Sequence, residues 1–193
     1  MLFTKVVEIS QRVASTSKRL EKIELLAGLL RQVSPEEAEP VVAFLSGTTR
    51  QGRTGIAYAA LRDAAATAAE SASLEVLEID RVLESAGTVQ GRGSVQRRRE
   101  LLHSLLARAT NAEQQFLTRL LLGDLRQGAL EGVMVEALAK AAGMDTALIR
   151  RAAMMAGSIA AVAKAALESG VAGLDRYELQ IFRPVQPMLA ETS

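Results

Sequence analysis

The residues with chemical potential here are glycines and arginines at repeated spacing. Two stretches share one pattern, Gly47-x-x-Arg50-Gln51-Gly52 and Gly123-x-x-Arg126-Gln127-Gly128. Each is followed by a further glycine, Gly55 or Gly132, and then by a helical pattern. Glycine lets backbone N–H groups approach an anion closely. A helix starting just beyond adds a partial positive charge, and Arg presents a planar fork that suits phosphate oxygens. A third candidate, Gly91-Arg92-Gly93-Ser94, opens a helical run that carries Arg97, Arg98 and Arg99. The chemistry this predicts is the gripping of phosphate, without bond making. A plainer reading makes Gly47 and Gly123 helix C-caps and leaves the arginines solvated, and both readings stand at this point.

Other chemistry is excluded by what is missing. The 193 residues contain no Cys, no Trp and one His, His103. Disulfides, Cys-ligated zinc and His-rich metal sites are out, and a Ser-His triad would need His103 as its base. His103 lies beside an apolar helical stripe with no ligand set, so it reads as a structural or half-exposed residue. None of Lys5, Lys18, Lys22, Lys140 and Lys164 is followed by x-Asp-Gly, and there is no Gly-x-x-x-x-Gly-Lys-Ser/Thr loop. The opening MLFTKVVEIS lacks the apolar core and cleavage site of a secretory signal. No apolar run approaches the roughly 20 residues of a membrane span. These features predict a cytoplasmic protein.

Charge is segregated although the net charge is only +1. Residues 70–84 carry Glu70, Glu75, Glu78, Asp80 and Glu84 against Arg81, whereas 91–108 carry five arginines against Glu100. The first reads as a solvated acidic face and the second as a basic one. Of the 23 basic residues, 18 are Arg and 5 are Lys.

The elements that must position these residues are helices. Leucines and Ile23 recur at three- and four-residue steps from Ser17 to Val33, with Ser15, Thr16 and Ser17 as candidate N-caps. Ser34-Pro35-Glu36-Glu37 starts a second helix that runs to about Leu45 and stops at Gly47. Further helices are predicted for Ala59–Ala69, Ser94–Arg108, Asn111–Leu122, Val133–Ala141, Asp145–Ala156 and Ile159–Leu167. Residues 74–79 are ambiguous between strand and helix, with Asp80 as an N-cap for a turn over 81–85. The tail, with Pro184 and Pro187, reads as extended. Shifted by 76 positions, the chain matches itself: Glu24-Leu25-Leu26 meets Glu100-Leu101-Leu102, Glu37 meets Glu113, and the two glycine patterns coincide. The expected fold is all-α, a compact multi-helix domain over 1–180 with an internal pseudo-twofold repeat. Its halves are about 15–70 and 91–145, and 181–193 forms a linker. Two dyad-related loops would match a duplex, whose strands are themselves dyad-related, through contacts that position without reading bases.

A rival motif runs from Val135 through Ile149, with the Ala, Gly and apolar spacing of a helix-turn-helix. There the helix after Asp145, carrying Arg150 and Arg151, would enter a major groove. Its base-facing positions are poor in Asn, Gln and Arg. A helical protein–protein scaffold, with the loops as mere caps, is the remaining alternative.

Several segments together resemble one family. They are Gly93-Ser94-x-x-Arg97-Arg98-x-x-Leu101-Leu102 and Ala112-Glu113-x-x-Phe116-Leu117-x-Arg119, continuing through Gly123-Asp124-Leu125-Arg126-x-Gly128. Thr16-Ser17-x-Arg19-Leu20-x-Lys22, Leu45-Ser46-Gly47 and the closing Arg183-Pro184-Val185-x-Pro187-Met188-Leu189-Ala190 also fit. The ensemble, spanning nearly the whole chain, resembles the N-terminal DNA-binding domain of ATP-dependent DNA ligases, actinobacterial and archaeal forms above all. Gln127 departs from the aliphatic residue usual between Arg and Gly.

The resemblance implies a monomeric clamp lying across the minor groove on both sides of a nick. It would serve a nucleoid-associated enzyme of DNA repair, replication and recombination. The DNA contacts would come from Gly47, Arg50, Gly52 and Gly55, from Gly93, Ser94, Arg97 and Arg98, and from Gly123, Arg126, Gly128 and Ala129. The partners would be nicked duplex and the adenylation and OB-fold domains of the same protein. ATP and magnesium would serve that parent enzyme. No cofactor is expected in this chain, which lacks the Lys-x-Asp-Gly nucleophile and should bind without ligating.

Overall fold

The computed structural model describes residues 1–52, 56, 58–125 and 131–177. Ten helices appear among them: α1 Phe3–Ser15, α2 Arg19–Leu30, α3 Pro35–Leu45, α4 Tyr58–Asp63 and α5 Val76–Thr88, then α6 Ser94–Arg108, α7 Asn111–Leu121, α8 Glu131–Ala142, α9 Thr146–Ala156 and α10 Ile159–Leu174. The fold is all-α, and the one β-contact among these residues is an isolated Leu2–Glu75 bridge.

Local chemistry sets the helices that matter. In α3, Pro35 opens the helix, and the N–H and hydroxyl of Ser34 donate to Glu37 Oε2 at 3.3 and 3.1 Å. In α7 the Thr110 N–H and hydroxyl donate to Glu113 Oε2 at 2.8 and 2.9 Å, and Glu113 N–H returns to the Thr110 oxygen. Such boxes satisfy the orphan donors of a first turn. Both helices begin and end 76 positions apart, as the internal match requires.

The core joins elements distant in sequence. Phe3 of α1 stands edge-on to Phe44 of α3 and Phe116 of α7, with ring centroids 5.9 and 5.4 Å apart. Such edge-to-face contacts add specificity to apolar burial. The Phe3 N–H bonds Leu74 O and the Val76 N–H bonds Met1 O, tying the start of the chain to the approach to α5. The Met1 ammonium also pairs with Glu37 Oε1 beneath α3. Helix α10 packs on α3 and α9, while α2 packs on α8, a contact laced by the Arg19–Glu136 and Lys140–Glu24 pairs.

Several expectations change. Helix α1 was not anticipated, although its buried residues Phe3, Val6, Val7, Ser10 and Val13 recur at helical spacing; its β-branched content only lowers helix propensity. The N-cap of α2 is Lys18, and Thr16 instead accepts the Lys18 N–H and donates to Glu21. Helix α4 stops at Asp63, short of Ala69. The Ala69 N–H goes to Ala109 O and the Ala66 carbonyl is taken by Gln114, so tertiary bonds replace helical ones. Residues 74–79 hold the bridge and then enter α5, placing Asp80 inside that helix and not at its cap. Helix α10 runs past Leu167 to Leu174, broken at Gly170. The expected linker 181–193 lies outside the described residues.

Candidate nucleic-acid interface

The first loop is built on the end of α3. Gly47 adopts φ +76°, and its N–H bonds Phe44 O while the Thr48 N–H reaches back to Ala43 O. Helix α7 ends the same way: Gly123, at φ +73°, bonds Leu120 O, and Asp124 bonds Arg119 O. These are paired Schellman caps, which place a left-handed residue after the helix and favour glycine. The plain reading of these two glycines as helix caps is therefore correct, and it leaves open what the loops beyond them do.

Beyond Gly47, residues 49–52 form a turn. The Gly52 N–H bonds Thr49 O at 2.9 Å, and the Thr49 hydroxyl donates back to Gly52 O at 2.8 Å. Two loop side chains then turn to α5. Arg50 donates from Nε and Nη2 to Asp80 at 2.9–3.3 Å, and from Nη2 to Glu84 at 2.8 Å. Gln51 Nε2 donates to the Asp80 carbonyl and to its Oδ1. Asp80 is 6% exposed, which a carboxylate tolerates only with partners. The hydrogen bonding of Arg50 to the Asp80 carboxylate is the chief cause raising the Arg50 pKa above its ordinary value. Glu39 of α3 faces this cluster. Burial pushes its carboxyl up, Arg50 pulls it back, and Asp80 adds to the rise. The acidic stretch was expected to be a solvated face; instead its Asp80 is a buried anchor.

The two loops meet. A β-carbon on Gly47 would stand 2.9 Å from Leu125 O and 3.8 Å from the Leu125 β-carbon, so the first loop abuts the start of the second. Gly55, Arg126, Gly128 and Ala129, the remaining loop candidates, lie outside the described residues.

The third candidate opens α6. Gly93 is the N-cap at φ +84°, its carbonyl accepting from the Arg97 N–H, and Ser94 is half-buried. Arg92, Arg97 and Arg99 are exposed, with no side-chain partner among the described residues. Arg98 differs: Nε donates to Ala86 O at 2.9 Å and Nη2 to Val89 O at 3.3 Å, so it caps the end of α5. Arg108 pairs with Glu78 farther along the same contact. Helix α5 thus holds the first loop through Asp80 and the basic end of α6 through its last carbonyls. At about 1.5 Å per residue these grips are roughly 9–14 Å apart. Sequence reasoning missed Asp80, Glu84 and Gln51 as loop partners; the nearest signal was the acidic run just ahead of the basic one.

Elsewhere, His103 is exposed, its Nδ1 3.3 Å from Ala64 O. No three His, Asp or Glu side chains gather as a metal site among the described residues. No helix among them is long and apolar enough to cross a membrane.

The comparisons with known proteins bear directly on this surface. A family model described as DNA ligase N terminus matches residues 56–139, from the loop before α4 into α8. A "Probable DNA ligase" of Anaeromyxobacter sp. (strain Fw109-5) is 49% identical over 193 residues, covering 99% of this chain and 37% of the relative. Proteins of the same name from Rhodococcus opacus (strain B4) and Mycolicibacterium gilvum (strain PYR-GCK) are 47% and 48% identical, over 98% and 100% of the chain. The chain belongs to the DNA ligase N-terminal family. The chain spans under two-fifths of the length of these curated relatives, 37–38%. Within the family match lie Gly93, Ser94, Arg97, Arg98 and Gly123, together with all of α5, the helix that holds both candidate surfaces. The first loop, from Gly47 to Gly52, precedes that match and is covered by the relatives.

Proposed function

We propose that this ligase N-terminal domain is a sequence-independent clamp for duplex DNA. It would grip phosphates along the minor groove on both sides of a nick while the rest of an ATP-dependent ligase seals the break. The observation that carries this reading is the abutment of Gly47 on Leu125. It joins two identically capped loops, one of them fastened to the helix that also holds the Arg92–Arg99 end of α6. In this reading the internal match is a pseudo-twofold arrangement that suits the duplex. The contacts come from Gly47, Gly52 and Gly55, from Gly93, Ser94 and Arg97, and from Gly123, Arg126, Gly128 and Ala129. Arg50 and Arg98 support them by bonding to α5.

Contacts of this kind position the protein without reading bases. In this reading the metal and nucleotide chemistry lies elsewhere in the enzyme: no three His, Asp or Glu side chains gather as a metal site among the described residues, and this sequence has no Lys-x-Asp-Gly. ATP and magnesium belong to the adenylation and OB-fold parts of the longer enzyme, the partners of this domain in repair, replication and recombination. The domain would act as a monomer at the nucleoid.

Fluorescence anisotropy with labelled nicked duplex, intact duplex and single strand, across a salt series, tests the reading. Duplex binding without sequence preference is expected, with log K falling against log salt by about 0.9 per phosphate neutralised. No duplex binding at low salt, or binding to one sequence alone, would reject it.

A further inference from the structure

We propose that Asp80 is a positioning residue of the DNA-contacting surface: it latches the first loop, and Arg50 serves that latch and does not itself touch phosphate. The inference rests on the duplex-clamp reading and adds a residue outside both glycine patterns. Asp80 lies within α5, 29 and 30 positions from the two loop side chains that reach it. Arg50 approaches it through two nitrogens, and Gln51 takes both its carboxylate and its backbone carbonyl. Successive loop residues therefore converge on one buried group, which ties the turn at 49–52 to α5.

Charge points the same way. Arg50 faces two carboxylates, Asp80 and Glu84, with Glu39 close enough to feel both Arg50 and Asp80. Lys164 also acts on Glu39 from α10. The guanidinium already faces two carboxylates, and swinging it to a phosphate would leave the buried Asp80 carboxylate without its charged partner, with only the neutral Gln51 amide. Arg92, Arg97 and Arg99 have no such ties among the described residues and remain open to phosphate.

The test compares wild type, Asp80→Asn, Arg50→Gln and Arg50→Lys by two readouts. One is amide hydrogen exchange over 47–52 without DNA. The other is nicked-duplex anisotropy across a salt series. Arg50→Lys keeps the charge and loses the bidentate fork, so it separates a latch from a phosphate contact without removing a buried group. A latch predicts that all three variants exchange faster over 47–52 and bind duplex about tenfold more weakly, the loss of a charge-assisted hydrogen bond. The salt slope should stay unchanged. The latch is overturned if Arg50→Lys binds like wild type while Arg50→Gln flattens the slope by about one unit. Unchanged exchange in Asp80→Asn, with wild type still binding duplex, overturns it as well. Failure of wild type itself to bind duplex at low salt is a different result, and it overturns the clamp reading on which the latch rests.

Discussion

Gly47 is pressed against Leu125: a β-carbon there would lie 2.9 Å from the Leu125 carbonyl oxygen, nearer than real β-carbons approach. Its counterpart Gly123 has the same left-handed backbone, φ +73°, but open space around it. The two loops are therefore capped alike, yet only one cap is also a contact between them.

That asymmetry gives the first prediction. Gly123→Ala meets only the left-handed penalty, about 1–2 kcal/mol. Gly47→Ala meets the same penalty and must also displace Leu125, for a loss of about 2–4 kcal/mol. Urea denaturation measures both. Equal losses would mean that the loops do not touch at Gly47.

Two carboxylates on α3 should give opposite pH signatures. At Glu37 burial works to raise the pKa, but hydrogen bonds from the Met1 ammonium and from Ser34 outweigh it, and the net shift is down. A depressed folded pKa contributes stability above the unfolded value and loses it as pH falls through the folded one. Glu37→Gln should then cost most near neutral pH, and its deficit should close in acid. Glu39 is shifted up, chiefly by burial. Its ionised form carries a cost that appears as pH rises through the folded pKa, so Glu39→Gln should be slightly stabilising at pH 7 and neutral near pH 4. Melting temperatures of the two variants across pH 3–8 show whether the signs differ.

Phe3 tests how far helix α1 belongs to the core. It is fully buried and stands edge-on to Phe44 and Phe116, one on each of the two capped helices. Phe3→Ala should cost about 3–5 kcal/mol by chemical denaturation. A loss below 1 kcal/mol would mean that α1 is not part of the shared core.

What could be read from the sequence follows a physical line. The ends of α3, α6 and α7 were legible because Ser34-Pro35 and Gly93-Ser94 act within one turn, and Gly47 and Gly123 close their helices locally. The internal match at a shift of 76 positions was legible for the same reason, since caps and leucine stripes repeat as letters. Asp80 was not, because a carboxylate looks the same in sequence whether solvated or buried. Only the packing of α5 under the first loop makes it an anchor. Arg98 and Arg97 are likewise neighbours of one type, and the direction in which each leaves α6 separates them.

That last pair sets the decisive contrast on the proposed DNA surface. Arg97 is exposed and has no side-chain partner among the described residues, whereas Arg98 is half-buried and holds the carbonyls of Ala86 and Val89. Arg97→Ala should leave folding stability within about 0.5 kcal/mol. It should weaken duplex binding with the salt slope reduced by roughly one unit, as expected for a lost phosphate contact. Arg98→Ala removes two bonds at the end of α5 and should cost about 1–3 kcal/mol of stability. It should also weaken binding, by loosening the α5–α6 contact, with little change in slope. Parallel denaturation and salt-titrated anisotropy separate the two effects. If Arg98→Ala flattened the slope and left stability intact, its guanidinium would be a phosphate contact, and α5 would not be the spine that sets this surface.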